Sequence, residues 1–518
     1  MRRRLSAGVL GAAALALVTP LALSAPAYAD HGRDPARKLV QDVKGRHVER
    51  HLKVLDLIAK VNGGTRVSST QGYNLSRDYV ATLLRAAGYK VTVQPFEFTF
   101  DGYRTKPVLE RVSPSPKPYK NGFFNDYVAM GDSPAGSASG TLQAVDLVLP
   151  PTPAPSSTSG CEPADFAGFT RGNVALMQRG TCNFAIKAKN AQDAGASAVI
   201  VFNEGQPGRT DVDLNPTLSD PSITIPSFFT SFATGSELAA TPGTTVKLNW
   251  DPIVEQRTTY NVIAESRGGR ADNVVMMGAH LDSVQEGPGI NDNGSGTAGV
   301  LEVALQMAKY RPVNKVRFGF WGAEEFGLLG SKHYVASLSQ EERNDIGLYL
   351  NYDMIGSPNF VYQVYDGDGD AFGVPGPEGS AQLEKDYQSF YGSRGLPYKP
   401  SEFDGRSDYK AFIDAGIAGG GLFTGAEKRK TEEEAKLFGG TAGIPYDPCY
   451  HGECDTIKNI SKTALDVNAD AIATLAAKYT YDKAALDAIH KPGAPHTPPA
   501  AARMAAEVAH DDVPSAGS

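Results

Sequence analysis

The 518-residue sequence has no long basic run after its first few residues, and its 50 Lys and Arg are outnumbered by 58 Asp and Glu, so it carries no nucleic-acid footprint. Past the first 29 residues it has no apolar stretch approaching the roughly 18 to 20 residues that span a bilayer. It has few cysteines, only Cys161, Cys182, Cys449 and Cys454, and none are spaced as the close CxxC pairs of a structural zinc site. A fibre, a coiled coil and a mostly disordered chain are excluded by a composition of 41% hydrophobic and 21% charged residues, which is that of a globular protein. The net charge of -8 is compatible with a free protein in an aqueous exterior.

What is present begins with an address. Arg2-Arg3-Arg4, an apolar stretch of Leu, Ala and Val, and Ala27-Tyr28-Ala29 before Asp30 follow the order of a secretory signal peptide. Residues 1–29 are therefore set aside from the fold, and the mature protein is expected to be secreted and extracellular, with no membrane anchor. In an exported chain an even number of cysteines favours disulfides over thiols, which argues against a cysteine nucleophile. Of the possible pairings, those nearest in sequence, Cys161–Cys182 and Cys449–Cys454, are expected.

Periodicity divides the chain. From Val40 to Phe100 the pattern is helical and then a strand, with Tyr79, Leu83 and Leu84 apolar, a stop at Gly88, and alternation from Lys90. Pro, Ser and Gly accumulate from Pro114 to Pro155, with a strand expected at Val145–Leu149. The segment GNVALMQRGTCNFAIKAKNAQDAGASAVIVFN, strand then helix then strand, resembles the core of a protease-associated (PA) domain. That resemblance implies a β-rich insert over residues 105–250, without chemistry of its own, which in exported peptidases covers or shapes access to the site. Between Tyr260 and Tyr481, apolar strands at Asn273, Val316 and Leu348 alternate with helical runs such as Ala298–Tyr310, the pattern of an α/β, mostly parallel sheet with helices on both faces. Residues 490–518, rich in Pro, Ala and acidic side chains, read as a disordered tail.

Each of those three strands is followed by a histidine or a carboxylate, where α/β sheets build their sites. The residues are His280 and Asp282, Asp292, Glu324 and Glu325, Asp353, and finally His451 near the chain end. Five ligands and a spare base fit two metal ions. Asp282, two residues from His280 on a strand, is placed to orient the imidazole rather than to bind metal. Asp292, among Gly and Asn at the mouth of a helix, can be approached from two sides and is expected to bridge. Of the adjacent glutamates, Glu325 binds and Glu324 accepts a proton from a metal-activated water. Singly, each feature has a plainer reading: a polar strand end, a helix dipole partner, a turn, a surface loop. Their joint occurrence at successive strand ends favours the site.

The segments GAHLDSV, GINDNGSGTAGVLEVA, RFGFWGAEEFGLLGS, YLNYDMIG, GRSDYKAF and CYHGECDT resemble the M28 family of dizinc aminopeptidases, nearest the secreted Streptomyces-type leucine aminopeptidases. The resemblance runs through about 200 residues of the final unit and the helical segment from Tyr73 to Gln94. It implies a three-layer zinc-exopeptidase fold over residues 38–104 and 251–482, interrupted by the PA insert. It further implies two Zn2+ per chain, one on His280 and Asp353 and one on Glu325 and His451, with Asp292 between them. Tyr450 matches the tyrosine that hydrogen-bonds the carbonyl oxygen as it becomes an oxyanion, and Arg406 the position whose backbone helps hold the free α-amine. Asp466 and Asp470, four apart on one helix face, with Asp42, resemble a Ca2+ set of the secreted enzymes.

The implied activity is removal of the N-terminal residue, Leu or another large apolar residue, from peptides with a free N-terminus by a monomer. Two other functions are weighed. One is a single-zinc glutaminyl cyclase of the same fold, disfavoured by the complete double ligand set. The other is an inert peptide-binding protein, disfavoured by the retained base Glu324. Asn74-Leu-Ser76 and Asn459-Ile-Ser461 match a glycosylation pattern.

Overall fold

A computed structural model describes residues 34–214 and 216–499, which fall into two compact units, one formed by the residues on either side of 99–256 in the chain and the other by residues 99–256. The expected signal peptide lies outside the described residues.

The chain enters through helices α1 (Pro35–Asp42), α2 (Gly45–Val61) and α3 (Gln71–Ala86). Thr70 caps α3, its side chain accepting from the amide of Tyr73, and so sets the helix start about two turns ahead of the apolar Tyr79. Strand β1 (Lys90–Ser113) then carries the chain out of the first unit.

The second unit holds β2 (Tyr127–Ala129), β3 (Gly136–Ala144), β4 (Val174–Gln178), α4 (Phe184–Asp193), β5 (Ala198–Phe202), β6 (Ser227–Thr230) and α5 (Phe232–Ala240), and the chain returns along β7 (Thr245–Glu265). Its strands run in the order β7–β3–β4–β5–β6–β2, with β3 to β6 parallel and both flanking pairings antiparallel. Val174 to Gln178 and Ala198 to Phe202 are buried without alternation, as central parallel strands are. The strand expected at Val145–Leu149 does not form. Asp146 turns to positive φ, prolines follow at 150 and 151, and the side chain of Gln178 takes the place of a ladder partner by accepting from the amide of Val148 at 3.0 Å. The Cys161–Cys182 disulfide lies in this unit.

The first unit resumes with β8 (Arg270–His280), α6 (Gly294–Met307), β9 (Asn314–Trp321), α7 (Leu329–Ser337), β10 (Ile346–Tyr352), β11 (Gln363–Tyr365), α8 (Ser380–Ser393), β12 (Lys399–Ser401), α9 (Tyr409–Asp414), β13 (Gly419–Phe423), α10 (Lys462–Tyr481) and α11 (Lys483–Ile489). Strand order is β12–β11–β13–β10–β8–β9–β7, and β9, β8, β10 and β13 are mutually parallel. Alternate residues serve two cores. Val275, Met277 and Ala279 join Phe318, Phe320, Leu348 and Leu350 in the cluster that includes side chains of α2, α6 and α10. Met276, Trp321 and Tyr349 face Tyr334 of α7 and Phe412 of α9. Helices thus cover both faces of a mostly parallel sheet, the three-layer α/β arrangement. No helix among the described residues is long and apolar enough to cross a membrane.

The stretch from His490 to Pro499, expected as the start of a disordered tail, is held instead. His490 and His496 stack at 4.0 Å, and their Nε2 atoms lie 3.0 Å and 2.9 Å from the carbonyl oxygens of Asn344 and Ile346. The remainder of that tail lies outside the described residues.

Candidate metal centre

Strand direction assembles the site. β8 ends on His280, Glu324 and Glu325 sit in the turn after β9, and Asp353 directly follows β10. Asp292 stands at the mouth of α6, whose cap Asn293 accepts from the amide of Gly296. A side chain at Gly296 would lie 2.1 Å from the carbonyl of Tyr352, so only glycine lets α6 start this close to the end of β10. His451 and Tyr450 come from a loop closed by the Cys449–Cys454 disulfide. Ala323, Met354 and His451, each at or beside a site residue, have positive φ, a conformation L-residues seldom take and functional sites often hold.

The carboxylate of Asp292 faces both histidines with different oxygens. Oδ1 is 3.2 Å from Nε2 of His280, and Oδ2 is 3.0 Å from Nε2 of His451. Around Nε2 of His280 lie Asp353 Oδ1 at 3.5 Å and Glu324 Oε2 at 3.8 Å; Glu325 Oε2 is 3.2 Å from His451. Ligand atoms of His280, Asp292 and Glu325, and of His280, Glu324 and Asp353, lie within 4.8 Å of one another.

The residues fit metal ions. Asp353 Oδ1 and Glu325 Oε1 are buried without a hydrogen-bond donor, an arrangement that is costly unless a cation meets them. A set of imidazoles and carboxylates suits zinc or another first-row divalent ion. The field is correspondingly negative. Burial alone would lower both imidazoles, but Glu324 and Asp353 raise His280, and Glu325 and Asp292 raise His451, well above the ordinary value. Burial favours the neutral acid at Asp292, yet contacts with His280 and His451 outweigh it and hold the carboxyl below its usual range. Burial, reinforced by Glu325, pushes Glu324 well up.

The supporting residues depart from expectation in detail. Asp282 Oδ1 is 3.6 Å from Nδ1 of His280, beyond a hydrogen bond, and accepts instead from the amide of Glu324 at 3.3 Å. It therefore ties the base-bearing turn to β8. The guanidinium of Arg406 is exposed, donating to Glu427 at 2.7 Å and to the hydroxyl of Tyr450 at 3.3 Å, while the Tyr450 ring stacks on His451 at 3.9 Å.

The expected calcium residues each have a partner of their own. Asp42 accepts from Tyr310 at 2.7 Å, Asp466 from the amide of Gly45 at 3.1 Å, and Asp470 lies 3.3 Å from Arg394. The described residues also gather Asp366, Asp368, Asp370 and Glu384, around a run of alternating Asp and Gly. Asn459 of one glycosylation pattern is buried against Asp447 and Asp455, so its amide is not presented to solvent. Sequence reasoning also passed over Ser407, which donates to Asp353, and the buried charges Arg66 and Asp455. Ser407 and Asp455 stand inside quoted motifs, whereas Arg66, in a loop between helices, carries no signal.

Comparison with known proteins agrees with this geometry. Residues 261–476 match peptidase family M28, and residues 143–238 match the PA domain. The chain is 48% identical over 432 residues to an aminopeptidase of Pseudomonas aeruginosa, covering 83% of this chain and 80% of that one. It is 49% identical over 324 residues to leucine aminopeptidase 2 of Arthroderma otae, covering 62% of this chain and 64% of that one. The fold is similar to that of a zinc aminopeptidase from Bacillus subtilis, with a TM-score of 0.58 and 25% identity, covering 87% of this chain and 98% of that one.

Proposed function

The chain belongs to peptidase family M28 and is a metallo-aminopeptidase, and from that premise we propose a secreted enzyme that uses two zinc ions to release the N-terminal residue, Leu or another large apolar one, from peptides. The observation that carries this reading is the placement of Asp292 between His280 and His451, one oxygen to each. His280 with Asp353 and His451 with Glu325 would hold one ion each, with Asp292 shared. Such a pair supplies Lewis acidity toward the scissile carbonyl and makes water acidic enough to attack near neutral pH.

The protein's own groups supply the rest. Glu324, beside His280 yet farther from it than Asp292 or Asp353, takes the proton of the attacking water and passes it to the leaving amine. The amide of Glu324 donates to Asp282, which fixes the turn. Tyr450 donates its hydroxyl proton to the carbonyl oxygen as charge develops there, and Arg406 donates to the oxygen of that same hydroxyl. The carboxylates crowding the site favour a substrate ammonium, which selects a free N-terminus. The leader-like residues 1–29 support export. Both histidines share one carboxylate, which speaks against the one-zinc cyclase.

The test is release of p-nitroaniline from a leucyl anilide and from its N-acetylated counterpart, before and after chelation and return of zinc. Cleavage of the free-amine substrate alone, abolished by chelation and restored by zinc, is expected. A folded, zinc-loaded protein that ignores the leucyl anilide would remove the proposed preference.

A further inference from the structure

Two buried charges meet the main chain of the segment that joins His280 to Asp292. Arg66 is wholly buried. Its Nε donates to the carbonyl of Pro288 at 2.9 Å, its two terminal nitrogens donate to the carbonyls of Leu281 and Gly289, and its own amide donates to the Ser283 hydroxyl at 2.9 Å. Asp455 is 1% exposed and directly follows Cys454, in the strand of chain leaving the disulfide loop of Tyr450 and His451. Its Oδ1 accepts from the amide of Asn291 at 2.9 Å, its Oδ2 from the amide of Asp292 at 3.0 Å, and its carbonyl from the amide of Ile290 at 3.0 Å. Carbonyls of the segment thus face a guanidinium, and its last amides face a carboxylate.

Neither charge has a side-chain ion pair among the described residues, so peptide dipoles, joined at Asp455 by the side-chain amide of Asn459 donating to Oδ1 at 3.0 Å, carry the burden of solvating both. A neutral side chain would hold these groups more weakly, because hydrogen bonds to an ionised partner are about twice as strong as neutral ones. A lysine could not replace the arginine, since only the planar fork reaches several carbonyls at once. Asp455 also joins two parts of the site that are far apart in sequence, the amide of Asp292 and the loop of His451.

We propose that Arg66 and Asp455 are positioning residues that clamp the 281–292 segment so that the two oxygens of Asp292 face His280 and His451. The inference rests on Asp292 being the shared zinc ligand. It concerns the support of that ligand, and neither residue touches substrate.

The experiment compares Asp455→Asn, Arg66→Lys and Asp447→Asn with the full-length wild type. Asp447 accepts from the side chain of Asn291 at 2.7 Å but does not reach the amide of Asp292, so it reports on general loosening of the same region. In Asp455→Asn the new amide group faces a main-chain N–H. Zinc retention against a chelator is expected to weaken about 10- to 100-fold, with kcat falling about tenfold or more and KM changing less than about threefold. Arg66→Lys, which keeps the charge, is expected to lose zinc retention in the same direction, and Asp447→Asn clearly less. Folded Asp455→Asn and Arg66→Lys proteins with wild-type zinc retention and kcat would overturn the clamp, as would equal losses in Asp447→Asn. Asp292→Ala separates the underlying reading: if it binds two zinc ions as the wild type does, Asp292 is not the shared ligand, whatever the clamp variants show.

Discussion

The hydroxyl of Ser407 donates to Oδ2 of Asp353 at 2.6 Å, which leaves Oδ1 without a donor and 3.5 Å from Nε2 of His280. Ser407 in turn accepts from Nδ2 of Asn351 at 2.8 Å. Asn351 accepts from the hydroxyl of Tyr349 at 3.2 Å, and Tyr349 accepts from the indole of Trp321 at 2.8 Å. One oxygen of the carboxylate is thereby occupied by protein and the other presented to the site, the division a metal ligand needs.

Replacing Ser407 with alanine frees Oδ2 and leaves the Asn351 donor unpaired. Zinc affinity is expected to fall about tenfold or more, measured by competition with a chromogenic chelator. An unchanged affinity would mean that Asp353 needs no such support.

The adjacent glutamates are expected to separate cleanly. Glu324→Gln removes the proton acceptor and should lower kcat by about 100-fold or more while zinc content is kept, whereas Glu325→Gln should lose zinc. Metal analysis alongside turnover checks both, and zinc loss in Glu324→Gln would reverse the two roles.

Tyr450→Phe keeps the ring stacked on His451 and removes only the hydroxyl. A fall in kcat of about 100-fold with KM little changed is expected from loss of one donor to the developing oxyanion. An effect confined to KM would place the hydroxyl in substrate binding.

The C-terminal stretch gives a pH dependence of known sign. Burial, then the neighbouring His490, pushes His496 down to about 4, and His490 is itself lowered by burial, with Glu378 the acidic group acting on it. The unfolded chain, whose imidazoles titrate near ~6.5, binds the protons that the folded protein refuses. The stabilising contribution is therefore complete above pH ~6.5 and declines as pH falls toward about 4. Thermal midpoints of the wild type and of His496→Phe, compared across that window, should converge as the pH drops; parallel curves would show that the pair carries no pH-linked stability.

Much of the site was legible because its residues stand at strand ends in order along the chain. Apolar runs marked the strands, the residues following them supplied the histidines and carboxylates that meet at the centre, and cysteines close in sequence found each other. Legibility failed where a partner came from elsewhere. Asp282 lies 3.6 Å from Nδ1 of His280, its expected partner, but only the packed turn after β9 shows the amide of Glu324 as a donor to it. Asp42, Asp466 and Asp470 take Tyr310, the amide of Gly45 and Arg394 as partners, none of them near in sequence. Val145 to Leu149 has the composition of a strand, and a backbone turn at Asp146 ends it.

The sequence by itself determined the α/β alternation, the identity of the histidines and carboxylates, and the disulfide pairing, because each follows from local periodicity or from residues near one another in the chain. The tertiary structure alone decided which oxygen of Asp292 meets which histidine, and which oxygen of Asp353 is left open. It alone also brought Arg66 and Asp455 to the same stretch of main chain. Those relationships depend on register between strands and on long-range burial of charge, where a hydrogen bond is fixed by whichever donor or acceptor the fold leaves within reach.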